Sequence, residues 1–491
     1  MIEPVGPFVP DMAALNPGVA MVAKNVIPAQ ASYRPFPSFA AVSGAITGRV
    51  QGAVSARESA SGQIYNFSGD DKNIYKLDSA GITWADVSRT SGGDYSTPPD
   101  GFWTFSQFGD YIIACNGVDD NQYYDLGTST AFDALAGSPP VAKYSAIVRD
   151  FVVLGGIGTN QNRVHWSGIN APDDYVPSAT TMSDYQDFPE GGRVQGIAGG
   201  DVGIVFCERA IYRMAFEGPP LIFRFDKIAT SLGCRAPRSI ASYEGLTFFL
   251  AYDGLYMIRG ASELVPIGAE KVDRWFFDNV DLSKVDRITG AIDPNNKIYI
   301  LGFVSAGSSI ADTALIYHWP TGKFSYAEFD HEMIYSASRQ EGVTIDGLDV
   351  VAATIDELPF TIDSLFYSGV GQTNLAAFNG AYRLGFFDGS NMEATVETGD
   401  VQLTPGRKSL LRGVRPIVEG AFSAPSVVVL YRDIAHETLS SAAASAATST
   451  GFCNTRVNAR YHRARIVVPN GAEWSHIVGI DDVKFSAMGA R

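Results

Sequence analysis

Paired carboxylates are the first residues in this chain whose types could do chemistry. They stand at Asp70–Asp71, Asp119–Asp120 and Asp173–Asp174. A glycosidase needs two carboxyl groups roughly 5 to 10 Å apart across a cleft. Neighbours on a strand or turn point apart, so the pairs read as turn-forming residues first. A second use is open for Asp70, Asp71, Asp119 and Asp120, as an acidic lumen or rim. The 6 histidines (His165, His318, His331, His436, His462 and His476) contain no spaced pair that would hold a metal and no HExxH. His165 and His318 each stand before Trp in a strand pattern, which favours packing over ligation. There is no G-x-S-x-G elbow and no P-loop. The glycines of "GGIGTN" at 155–160 lead from one strand pattern to another and read as a turn. The 4 cysteines, Cys115, Cys207, Cys234 and Cys453, lie far apart and read as small core residues. These residues predict no enzyme, no cofactor and no metal.

The elements that carry them repeat. A strand with a small residue opens each copy: "VQGAVSARES" from Val50, "FWTFSQFGD" from Phe102, "AKYSAIVRD" from Ala142, "VQGIAGGD" from Val194, "RSIASYEG" from Arg238, "ITGAIDPNN" from Ile288 and "IYSASRQEG" from Ile334. A second, more apolar strand follows, as in "YIIAC", "FVVLG", "GIVFC", "TFFLA", "KIYILGF" and "DVVAAT". A third carries an aromatic or His, as in "NIYKL", "RVHWS", "LIYHW" and "SLFYS". Turns such as "GDD", "YDG", "DPNN" and "PTGK" sit where hairpins need them. "DSAGITW" from Asp78 nearly matches a sialidase Asp-box, yet it has an extra residue between Asp and Gly and lacks the upstream Ser. It reads as a hairpin turn. The copies recur roughly every 40 to 50 residues, the span of a four-stranded propeller blade. Seven blades are counted, and six is the alternative.

Composition agrees with an all-β chain. The 491 residues are 46% hydrophobic, 12% aromatic and only 18% charged, with 50 Gly and 25 Pro. No window approaches a membrane span, and the N-terminus has no signal-peptide pattern. A net charge of −16 with no basic stripe excludes a protein built to grip nucleic acid tightly. Residues 1–48 are Pro- and Ala-rich without periodicity and cannot form their own core. They are either flexible or an extended arm laid on a neighbour, and the recurring apolar-Pro pattern favours the arm. Residues 49–390 form the β-propeller, and longer strands from 391 to 491 predict a C-terminal β-sandwich-like domain. Within it, "HETLSSAAASAATSTGF" from His436 predicts an exposed loop.

A resemblance joins these parts. "NPGVAMVAKNVIPAQASYRPFPSF" at 16–39, "VHWSGINAPDDY" at 164–175 and "DGLYMIRGASELVPIGAEKVDRWFF" at 253–277 resemble tail proteins of short-tailed bacteriophages. The family is that of the tail nozzle, tail hub or packaged-DNA stabilisation proteins. "TVETGDVQLTPGRKSLLRGVRPIVEG" at 395–420 and "ARIVVPNGAEWSHIVGIDDVKFS" at 464–486 look like its C-terminal part. The resemblance implies a structural virion protein, with no catalytic residues to carry over. It implies a homo-hexameric ring below the portal and adaptor proteins, bearing tail fibres or a needle. That ring retains packaged double-stranded DNA and conducts it during ejection without tight binding. Its place is the virion tail, with assembly in the host cytoplasm. The alternative is a propeller enzyme or lectin acting on host-surface polysaccharide.

Overall fold

The computed structural model describes residues 3–16, 18–78, 81–339, 373–420 and 425–489. Strand makes up 52% of the described residues and helix 4%. The dominant unit is an antiparallel meander of four strands, and seven of these close into a ring. Blade 1 is Gly52–Arg57, Ile64–Gly69, Ile74–Leu77 and Trp84–Asp86. Blades 2, 3 and 4 open with Thr104–Phe108, Tyr144–Val148 and Val194–Ala198, and blades 5 and 6 with Ala241–Tyr243 and Thr289–Asp293. In each blade the first strand is innermost, and these first strands touch one another around the axis. Between blades 4 and 5 the contact is made by the short 3-10 turn Pro237–Ser239. The chain is a seven-bladed β-propeller with a second β domain.

Small residues let the blades converge. A Cβ on Gly52 would lie 2.7 Å from the Trp103 side chain of blade 2, and one on Gly196 would lie 2.4 Å from Ile240. One on Gly290 would lie 2.4 Å from the Ser239 carbonyl oxygen. Behind them the second strands are almost wholly buried, as in Phe151–Gly155, Gly203–Cys207 and Ile298–Phe303. Cys115 and Cys207 lie in such second strands, Cys234 between blades 4 and 5 and Cys453 in the sandwich, and all four are free and buried.

Blade 7 departs from the expected local repeat. Its inner strand is Met333–Ser338, its second Thr373–Phe378 and its third Arg383–Asn391. The outer strand comes from the other end of the chain, as Pro37–Ala45 pairs antiparallel with Arg383–Asn391. The ring is therefore locked by joining its two ends. The stretches "DVVAAT" and "SLFYS" lie outside the described residues.

The N-terminal segment is likewise not an arm reaching for a neighbour. Glu3–Pro4 and Tyr33–Pro35 pair with His476–Ala487. Ala20–Lys24 pairs antiparallel with Ala394–Thr398 and meets the outer strand of blade 6, Lys323–His331, at Lys24↔Tyr326. The segment cannot bury its apolar residues alone, and the same chain supplies the partners. Phe8, Ala20, Ala23, Val26 and Tyr33 belong to one core with Phe248, Leu301 and Tyr317 of the propeller and Ile466 and Ile477 of the C-terminal domain.

That domain is a two-sheet sandwich. One sheet orders Val26–Pro28, Tyr33–Pro35, His476–Ala487, Ser409–Glu419 and Cys453–Ala459. The other continues blade 6 through Ala20–Lys24 into Ala394–Thr398, Tyr461–Val468 and Ser426–Arg432. The low-complexity stretch after His436 is mostly exposed but contributes two short strands, Ser440–Ser441 and Ser445–Ala446, against Ser426–Arg432. The helix Asp273–Asn279 bridges blades 5 and 6. Asp11 accepts from the Arg274 and Trp275 amides, 2.9 Å each, at its first turn.

Candidate functional site at the mouth of the propeller axis

An up-and-down meander places two kinds of turn on one face: those joining second to third strands, and those leading from one blade to the next inner strand. Both expected acid pairs sit in second-to-third-strand turns on this face, in blades 1 and 2. Asp70 is buried at 2% exposure and accepts from the amides of Gly48 (3.0 Å), Lys72 (2.9 Å) and Asn73 (2.7 Å) and from the Tyr75 hydroxyl (2.9 Å). Asp119 pairs with Arg89 at 3.1 Å and accepts from the Ser96 amide and the Asn116 side chain, 2.8 Å each. Neither is a free carboxylate lining a channel, because turn amides and one guanidinium saturate them. Asp71 and Asp120 are exposed on the same face and lie apart from any paired carboxylate function.

The axis itself is not acidic. Across the seven innermost strands the charged residues are Arg57 and Asp293, and Asp293 caps the Asn295–Asn296 turn. Among the described residues, the propeller axis therefore has no acid-rich wall. Small and apolar residues are needed there for blade convergence, which leaves charge to the turns above.

Five of the seven turns that lead into inner strands carry a cation, while those of blades 2 and 7 carry Asp100 and Glu332. The tetrapeptide "RVQG" stands at the entry to the inner strands of blades 1 and 4, at 49–52 and 193–196, and "RITG" at that of blade 6, at 287–290. Lys143 and Arg238 occupy the matching turns of blades 3 and 5. Arg49 Nη2 donates to the Pro99 carbonyl at 2.5 Å, while its Nη1 is shielded and has no partner. Arg238 is held at the Pro237–Ser239 turn, where the Ser239 hydroxyl donates to the Ala236 carbonyl at 2.6 Å and accepts from the Leu250 amide at 2.9 Å. Both of its terminal nitrogens, Nη1 and Nη2, are shielded from solvent without a hydrogen-bond partner. Lys143 Nζ lies 4.6 Å from the centre of the Phe102 ring, and Arg238 Cζ lies 5.6 Å from it.

Burial dominates the electrostatics. It pushes Arg238 down to about 10, with Arg49 adding to the shift and Asp286 and Glu332 opposing it. Burial and then Arg287 lower Arg49 in the same way. Lys143 is lowered by burial, against Asp100 and Asp286. A guanidinium lowered this far is still charged at neutral pH. Glu332, 6% exposed, keeps one shielded carboxylate oxygen without a partner. Below the turns lies a cavity of about 220 Å³, lined by Phe102, Trp103, Phe105, Tyr144, Tyr335 and Arg238 among others. The Tyr335 hydroxyl is also buried and unpartnered.

No protein-family model and no curated protein matches the sequence. Solved structures do. The extracellular domain of the hybrid two component system BT4673 from B. thetaiotaomicron is similar at 11% identity and a TM-score of 0.43. That match covers 78% of this chain and 44% of the other, so it spans less than half of that protein's length. YCF48 bound to D1 peptide is similar at 11% identity and a TM-score of 0.38, covering 73% of this chain and 97% of that one. The computationally designed Ika8 protein gives 10% identity and a TM-score of 0.37.

Several polar groups elsewhere are paired within the fold, although others, such as the His462 ring and the Trp474 indole, are buried without a hydrogen-bond partner. His165 Nε2 lies 3.0 Å from the Tyr175 carbonyl and His318 Nδ1 lies 2.7 Å from the Thr321 hydroxyl, both beside packed strands. Among the described residues, no group of His, Cys, Asp and Glu is placed to hold a metal. In the sandwich, buried Arg463 pairs with Glu397 at 2.9 Å and with Asp400, which also takes Arg432. The recurring Arg before Φ-x-Gly signals Arg49 and Arg287 in the sequence, whereas Arg238 and Lys143 stand outside that motif.

Proposed function

We propose that this chain is a structural subunit of a virion tail. It assembles with copies of itself into the nozzle ring below the portal and adaptor and retains and conducts packaged DNA. The observation that supports this reading is the fusion of propeller and sandwich into one body. A shared sheet and a shared core run from blade 6 through residues 20–28 into the C-terminal domain. A closed ring needs subunits of fixed shape, since an angular error at each interface would leave it open. The ordered patches of likeness to tail nozzle proteins point the same way. In this reading DNA follows the channel between subunits. The cavity on the propeller axis, about 220 Å³, is far too small for a duplex whose major groove alone is about 12 Å wide. A charge of −16 per chain disfavours tight capture of phosphate.

The test is the size and symmetry of purified protein, alone and mixed with portal and adaptor proteins, by light scattering and negative-stain microscopy. A sixfold ring is expected. A monomer under both conditions would overturn the proposal. One second reading, a propeller that binds a ligand, is favoured by the orphaned groups at the axial mouth.

A further inference from the structure

We propose that the mouth of the propeller axis binds a small organic anion, a carboxylate or phosphate ester with a flat apolar body. Arg238, with Arg49 and Lys143, takes the charged group, and the aromatic cavity takes the body. The site stands whether or not the chain forms a ring.

Three observations carry it. First, buried polar groups are nearly always hydrogen-bonded, yet here Arg238 Nη1 and Nη2, Arg49 Nη1 and the Tyr335 hydroxyl are all shielded and unpartnered. The guanidinium nitrogens can only donate, so together they call for an acceptor with several oxygens. Second, the architecture brings several of these residues to the axis. Arg238 and Tyr335 both line the axial cavity, and Phe102, on the same wall, has Lys143 and Arg238 within 4.6 Å and 5.6 Å of its ring centre. The supports are rigid: the 3-10 turn fixes Arg238, and the Pro99 carbonyl fixes Arg49. Third, the charge near the mouth leaves room for an anion. Arg49, Lys143, Arg238 and Arg287 face Asp100, Asp286 and Glu332, and no pair among them closes to ion-pair distance. A bound anion would relieve the mutual repulsion of Arg49 and Arg238. The walls decide the body: Phe102, Trp103, Phe105 and Tyr144 are among the residues lining the cavity, which has room for one small molecule. The Tyr335 hydroxyl can donate to a polar atom on that body.

Calorimetric titration of the full chain at low salt tests this with phenyl phosphate and benzoate, which share a body and differ in their anion. Inorganic phosphate and acetate serve as anions without a body. Saturable binding of one molecule per chain is expected for phenyl phosphate or benzoate, and the stronger of the two identifies the anion class. Arg238→Gln should weaken it roughly tenfold or more, the loss of one charge-assisted hydrogen bond. Glu332→Gln should strengthen it, because it removes a buried carboxylate that opposes the anion. If Arg238→Gln does not fold, Lys143→Gln carries the same comparison. No saturable binding by either aromatic anion, binding confined to the body-less anions, or affinity unchanged in both variants would overturn the assignment.

Discussion

Hydrogen bonds from the amides of Gly48, Lys72 and Asn73 and from the Tyr75 hydroxyl converge on the carboxylate of Asp70. They tie the blade 1 hairpin to the linker that closes the ring, and the Trp103 indole donates to the Asp70 carbonyl at 2.8 Å. Asp70→Ala should therefore cost about 3 kcal/mol in urea unfolding, the penalty of leaving several buried donors unpaired. Asp71→Ala, at an exposed side chain, should stay within about 0.5 kcal/mol. Equal small losses would restore a surface role to both. The adjacency of the two acids was legible in sequence, but their opposite fates were not, since these depend on Gly48 and Tyr75 approaching from other parts of the turn. His331 gives a pH prediction. Burial, opposed by the Phe329 carbonyl and Asp312, pushes it down to about 4. In the unfolded chain it titrates near 6.5. Between these values the unfolded state takes up a proton that the folded state refuses, so stability is complete above the window and is lost as pH falls. The loss by about pH 5 should be about 2 kcal/mol from this residue. Urea midpoints at about pH 7.5 and pH 5 should fall further apart for the wild type than for His331→Gln, and equal losses would clear His331 of the effect.

At the scale of elements, residues 3–45 act as a seam. Asn25, 5% exposed and at φ 56, accepts from the Glu328 amide at 2.9 Å and donates to the Glu393 carbonyl at 2.9 Å. One side chain thus bridges blade 6 and the start of the sandwich, in a left-handed conformation that Asn tolerates. Deleting residues 1–35 removes this bridge together with Phe8, Ala20, Val26 and Tyr33 from the shared core. Each large buried side chain is worth about 1.5–3 kcal/mol, so the sum rivals the stability of a whole domain. The truncated chain should lose a folded C-terminal domain, seen as rapid proteolysis of residues 391–491. A protease-resistant sandwich in that variant would show the seam to be dispensable. The inner, second and third strands of blades 1–6 were readable because each is bounded by local turn chemistry and carries its own apolar pattern. The closing strand Pro37–Ala45 was not, since its partner lies hundreds of positions away and no local signal records such a pairing. The same reason made residues 1–48 look like an arm. The axial site was half legible: Arg49 and Arg287 stand in a repeated tetrapeptide, but Arg238 does not, and only the ring brings them to one mouth.

On the scale of the whole molecule, the question is whether the propeller and sandwich behave as one body. Domains in one chain commonly meet through modest polar interfaces and move or melt separately. Here a single ten-stranded sheet runs from the axis of the propeller through blade 6 to the far edge of the sandwich. Its middle strand, Ala20–Lys24, belongs to neither domain by sequence and is paired to both. Melting either domain would expose Ala20 and Ala23, both 0% exposed, and would unpair that strand, so partial unfolding forfeits core on both sides. Calorimetry should therefore show one endotherm. Fluorescence offers a site-resolved check, because Trp474, 6% exposed, is the sole tryptophan in residues 391–491. The part of the fluorescence melt that Trp474→Phe removes should share its midpoint with the part that remains. Two resolved endotherms, or a Trp474 signal that melts several degrees before the rest, would mean that the sandwich moves as a separate unit. In that event the fixed subunit shape supporting ring assembly would be lost, while the blade geometry that builds the axial anion site would stand.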